Sequence, residues 1–168
     1  MRILGLFLVG TMLFALFTGC IPSPPDTQSD MAKKDFTLPL LGGGILRLSD
    51  FLGKPVLLVF FTPTCSNCKK EAPLLETVYQ RYKESHNFVV IGVGYISSNG
   101  EEELREFVEN NGITFPVAMD TDETRVYRMY GVTGVPHNFF FNREGNIVRS
   151  ATEPLTLTTL EQYLQTIL

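Results

Sequence analysis

The chain has 168 residues, 44% apolar and 19% charged, which suits one packed domain and is too apolar for wholesale disorder. Its 14 basic residues against 18 acidic ones leave a net charge of −4 without a basic run, which argues against nucleic acid as a partner. Three cysteines and no tryptophan are too few thiols for a disulfide scaffold, and too few for a four-ligand zinc site unless histidine helps.

Residues 1–19 read as a secretory signal: Arg2, then an apolar run from Ile3 to Phe17, shorter than the roughly 20 residues of a spanning helix. The run ends Leu16-Phe17-Thr18-Gly19-Cys20, which resembles a bacterial lipobox, in which the cysteine takes a lipid and becomes the first residue of the mature protein. Phe17 departs from the aliphatic residue usual at that place. The alternative is an uncleaved membrane anchor with Cys20 buried in it. Both place the domain outside the cytoplasm, where disulfides persist. Residues 20–35, rich in Pro, Ser and Asp and without apolar periodicity, read as a lipidated cysteine and a flexible tether. The folded domain is expected over 36–168.

Within that domain, Leu46 to Leu48 reads as a short strand, and Ser49 or Asp50 as the start of a helical turn. Pro55 to Phe61 is apolar throughout, as a strand buried on both faces is. Ser66 to about Ser85 reads as a helix, with Leu74, Leu75, Val78 and Tyr82 sharing a face. Phe88 to Tyr95 is a second central strand. Glu101 to Asn111 is a helix, acidic in its first turn and stopped at Gly112. Phe115 to Met119 is a strand, and Thr124 to Tyr130 a short helix. His137 to Phe141 and Asn146 to Ser150 flank a turn and form a hairpin. Thr156 to Leu168 is a closing amphipathic helix. This alternation implies an α/β domain: a mainly parallel sheet, helices on both faces, and an antiparallel edge from the hairpin.

Two cysteines stand at Cys65-Ser66-Asn67-Cys68, directly after a strand and at the start of a helix. One helical turn apart, their sulfurs can meet. The unpaired N–H groups and the positive end of the helix favour a thiolate at Cys65, which makes it the nucleophile, and Cys68 then resolves the mixed disulfide. A structural disulfide, a metal site and a pair of buried thiols are the competing readings. The histidines, His86 and His137, lie in no ligand-like motif and read as surface or loop residues.

The segment Phe60 to Pro73 resembles the active site of the thioredoxin superfamily, and the wider pattern is similar to its membrane-tethered TlpA/ResA-like branch. Asp35-Phe36-Thr37-Leu38 and Leu48 to Val56 resemble that branch's N-terminal hairpin and the approach to its first core strand. Phe115 to Asp120 resembles the strand after its inserted αβ unit, and Gly134-Val135-Pro136 the loop carrying the superfamily's cis-proline. The resemblance implies a thioredoxin-like fold: a central mixed sheet flanked by helices, with the N-terminal hairpin and the inserted unit. It assigns attack to Cys65 and resolution to Cys68. It sets Pro136 against the disulfide, lets the Val135 backbone pair with an extended substrate, and makes Thr64, Ser66 and Asn67 the neighbouring contacts. Glu71 matches an acidic residue near the cysteines in some cytochrome c maturation members, where a carboxylate can hold a proton for the resolving thiol. The otherwise usual tryptophans are replaced by Phe61 and Thr64, and a frequent proline by Asn67.

The implied activity is a lipid-anchored thiol–disulfide oxidoreductase that reduces disulfides of exported proteins, apocytochrome c being one client. A membrane dithiol carrier would donate the electrons, and no cofactor or metal is needed. Two alternatives compete with it. A thiol peroxidase would use Thr62 and Cys65, which have peroxiredoxin spacing, although Leu58 stands where its usual proline would be. A metal-handling module would add His137 to the two cysteines.

Overall fold

The computed structural model describes residues 28–97 and 100–168. The expected signal segment and Cys20 lie outside them. Among the described residues, no helix is long and apolar enough to cross a membrane.

The chain begins with a four-residue helix, α1 (Asp30–Lys33), and a two-stranded hairpin, β1 (Thr37–Pro39) with β2 (Ile45–Arg47). A 3-10 turn over Leu48–Phe51 leads to β3 (Val56–Phe61), then α2 (Ser66–Tyr82), β4 (Val89–Tyr95), α3 (Glu101–Asn110) and β5 (Val117–Asp120). The chain closes with α4 (Val126–Met129), β6 (His137–Phe141), β7 (Ile147–Ala151) and α5 (Leu157–Leu164). The five main strands are ordered β5-β4-β3-β6-β7.

All six residues of β3 are buried, which is why its sequence carries no polar alternation. It pairs parallel with β4 and antiparallel with β6. Its alternate side chains feed two cores. On one face Leu57, Val59 and Phe61 meet Leu75 and Val78 of α2, Phe107 of α3 and Leu160 of α5. On the other, Val56, Leu58 and Phe60 meet Met31, Leu38, Val126 and Tyr130. Gly94 of β4 lets α3 approach, because a Cβ there would stand 2.6 Å from Leu104 Cδ1.

The thioredoxin-like architecture expected from the resemblance is present, including the N-terminal hairpin and the α3–β5 insertion. Three expectations need correction. The sheet is not mainly parallel, since two neighbouring pairs are parallel and two antiparallel. The closing hairpin is also not confined to an edge: β6 lies inside the sheet, beside β3. The tether drawn to residue 35 ends earlier. Ser29 caps α1 through its side chain, Met31 is buried, and the Met31 N–H donates to the Gly145 carbonyl at 2.8 Å. Asp30 Oδ2 accepts from the Ile147 N–H at 2.9 Å. A helix this short has no readable period, and tertiary contacts hold it.

Candidate active site

The site forms where β3 ends and α2 begins. Cys65 is the N-cap of α2 and Cys68 lies one turn in. Their sulfurs form a disulfide, with Cα atoms 5.2 Å apart. The two sulfurs are unequal. Cys65 is half-buried, between the exposed Thr64 and the exposed Ser66 and Asn67, whereas Cys68 is only 3% exposed. The Cys68 N–H donates to Cys65 Sγ at 3.1 Å, so a helix-start donor that would otherwise lack a partner is aimed at that sulfur. With the aligned dipoles of a 17-residue helix behind it, the position favours negative charge on Cys65 once the disulfide opens.

The loop before β6 covers the pair. The Val135–Pro136 peptide bond is cis, and the Val135 carbonyl oxygen lies 3.6 Å from Cys65 Sγ. Pro136 is buried, and with Cys68, Glu71, Phe61 and Phe107 it lines a small cavity of about 10 Å³ beneath the disulfide. Phe61 stacks on Phe107 with ring centroids 4.8 Å apart, so it retains an aromatic contact where the resembling branch has tryptophan. Thr64 opens onto a groove of about 340 Å³ shared with Pro63, Lys69, Glu103 and Glu106. A second groove, of about 180 Å³, runs on the other side along Thr62, Tyr95, Tyr127 and Val132 to Val135.

Glu71 is 2% exposed. Its Oε1 accepts from Asn138 Nδ2 at 2.7 Å, and its Oε2 from the Leu155 N–H at 3.1 Å. Burial raises its proton affinity above that of an ordinary carboxylate. The bonds from Leu155 and Asn138 work against that rise, and the charge of Glu153 adds to it. This buried carboxyl stands one helical turn from Cys68 and lines the same cavity.

The sequence-predicted residues Cys65, Cys68, Pro136, Val135 and Glu71 therefore converge, with Thr64, Ser66 and Asn67 at the exposed rim. Asn138, Phe107 and the Leu155 N–H were not anticipated. Asn138 had a signal: it is a lone amide ahead of the all-phenylalanine stretch Phe139 to Phe141. His137 is not a surface or loop residue. It is 8% exposed in β6, its ring stacked on Phe139 at 4.3 Å, and burial lowers its proton affinity. Thr62, named for a peroxidase, meets Cys65 through the backbone, its carbonyl accepting the Cys65 N–H at 3.2 Å.

Comparison with known proteins agrees with this geometry. The sequence profile of the AhpC/TSA family matches residues 30–150. A protein of Bacillus anthracis named thiol-disulfide oxidoreductase ResA is 31% identical over 168 residues, covering 98% of this chain and 93% of that one. Its Bacillus subtilis namesake is 28% identical, covering 96% and 88%. The solved structure of MTB DsbF, in mixed oxidised and reduced forms, superposes with a TM-score of 0.71 at 27% identity, covering 79% of this chain and 95% of that one. The chain belongs to the AhpC/TSA family of the thioredoxin superfamily and is a thiol–disulfide oxidoreductase of the ResA type, with Cys65 and Cys68 as its CxxC pair.

Proposed function

We propose that this enzyme works outside the cytoplasm, held to a membrane by a lipid on Cys20, and reduces disulfides of exported proteins. The observation that carries the reading is the asymmetry of the dithiol: a reachable Cys65 served by a helix N–H, and a Cys68 enclosed over a buried carboxyl. In the reduced enzyme the Cys65 thiolate attacks one sulfur of a client disulfide. The client S–S bond breaks and a Cys65–client bond forms. The Cys68 thiol passes its proton to Glu71, and the resulting thiolate attacks Cys65 Sγ. The Cys65–client bond breaks, the second client sulfur leaves as a thiolate that takes a proton from water, and the enzyme is left oxidised with the Cys68 proton on Glu71. The client strand lies along Val135, with Thr64, Ser66 and Asn67 as the adjoining contacts. Apocytochrome c, whose haem-binding cysteines must be reduced, is one client of this kind. A membrane dithiol carrier returns the electrons.

Reduction of insulin by the dithiol-loaded enzyme tests the chemistry. Cys65→Ser is expected to abolish it, and Cys68→Ser to accumulate mixed disulfides. Retained turnover in Cys65→Ser would overturn the assignment. Direction is tested by the equilibrium of the pair with a defined thiol buffer: a potential well above that of glutathione would make the enzyme an oxidant instead.

A further inference from the structure

Among the described residues, Asn138 is the one polar side chain that the interior of the sheet directs at Glu71. It is fully buried on β6, directly across from Val59 of β3. Its Nδ2 serves Glu71 Oε1, while its Oδ1 has no hydrogen-bond partner. An orphaned buried acceptor in an otherwise apolar layer is unfavourable, and an aliphatic side chain of similar size would avoid it. The amide has one property such a side chain lacks. Its two ends are nearly the same shape and opposite in hydrogen-bonding sense. Nδ2 donates to a carboxylate; after a half-turn about the last side-chain bond, Oδ1 accepts from a carboxylic acid. Leu155 can only donate, through its N–H, so it keeps Oε2 as the acceptor and leaves the proton to Oε1, the oxygen that faces Asn138.

We propose that Asn138 is the positioning residue that holds the Glu71 carboxyl at the cavity it shares with Cys68 and sets its proton affinity, by meeting the charged form with Nδ2 and the neutral form with Oδ1. This rests on the proton-carrying part of the function proposed above. When Cys68 ionises, its proton moves to Glu71 Oε1 and the Asn138 amide turns; when Glu71 returns the proton, the amide turns back. The other charged or titratable groups bearing on Glu71 are Glu153, on the segment before α5, and Cys68 itself.

The test is the titration of Glu71 followed by carbon-13 shifts of glutamate carboxyls in the full-length enzyme, with Glu71→Gln assigning the resonance. Asn138→Leu removes both the donor to the carboxylate and the acceptor for the acid; the bond to the charged form is the stronger of the two, so Glu71 is expected to bind its proton about tenfold more tightly, a midpoint about one pH unit higher. The pH profile of insulin reduction is expected to move the same way. Asn138→Asp keeps the shape and serves should the leucine variant not fold; there, two acids sharing a proton are expected to titrate in two steps. A Glu71 midpoint within 0.3 pH units of wild type in the folded variants would overturn the proposal, as ordinary packing would leave it unmoved. If the midpoint moves but Glu71→Gln leaves the reduction profile unchanged, the assignment of Asn138 stands and the proton-carrying role of Glu71 falls.

Discussion

The Cys68 backbone N–H points at the sulfur of Cys65 across 3.1 Å, so the buried cysteine supports negative charge on the reachable one. This donor is fixed by the helix and acts before any client arrives. Cys68 Sγ has no matching position and sits in the apolar layer beneath.

Alkylation of the reduced enzyme should therefore be ordered. Limiting iodoacetamide is expected to label Cys65 first, each unit of separation between the two thiol pKa values contributing about tenfold in thiolate population. Peptide mapping by mass spectrometry reads the site. Equal labelling of both cysteines in the native protein would contradict the asymmetry.

Glu71 makes stability depend on pH. Its folded proton affinity is raised, so the folded state holds the proton more tightly than the unfolded chain does. Below the ordinary carboxylate range both states are protonated and nothing is lost. As pH rises from there through the raised folded value, stability falls, and above that value the loss is complete. Glu71→Gln removes this titration. Its amide oxygen can accept from Leu155, and its NH2 can donate to a turned Asn138, pairing the atom that lacks a partner. The variant is expected to melt higher than wild type at pH 8, by about 2–4 °C per kcal/mol recovered, with the gap closing below about pH 4. A constant difference across pH would refute this account.

The stacked rings of Phe61 and Phe107 line the small cavity that Cys68 also lines. Phe107→Ala is expected to cost about 3–5 kcal/mol, from lost burial plus an enlarged cavity. Urea denaturation gives the value. A cost below about 1 kcal/mol, the low end for a mildly destabilising change, would mean the site collapses without penalty.

Gly145 is the anchor of α1. It sits at φ +78°, and a Cβ would come within 3.0 Å of Met31 Cβ and 2.9 Å of Leu52 Cδ1. Gly145→Ala is expected to cost about 1–2 kcal/mol from the left-handed backbone alone, with crowding added. Hydrogen exchange at the Met31 amide, which bonds to the Gly145 carbonyl, should quicken well before exchange in β3. Unchanged protection at Met31 would show that α1 is held elsewhere.

Much of this was readable from residues. The unbroken apolar run of β3, the cysteine pair at a strand-to-helix junction and the Gly112 helix stop each carry their cause locally. Glu71 was readable in part. It precedes Leu75, Val78 and Tyr82 by 4, 7 and 11 positions, so the helical period puts it on the buried face, where a carboxylate is costly and calls for partners. The partners were not readable, because Asn138 and Leu155 are 67 and 84 positions away and reach Glu71 only through the antiparallel return of β6 and the start of α5. The same return makes the sheet mixed, and no local period encodes it.

The docking of α1 also gives the molecule a direction. Met31 and Asp30 are fastened to the Gly145–Ile147 turn, which adjoins the Val56 end of β3, while Cys65 follows the Phe61 end. The chain thus enters the domain at one pole and does its chemistry at the other, separated by the length of a six-residue strand, about 20 Å. An anchor on the N-terminal side would leave the dithiol facing outward, like the tip of a probe held by its handle.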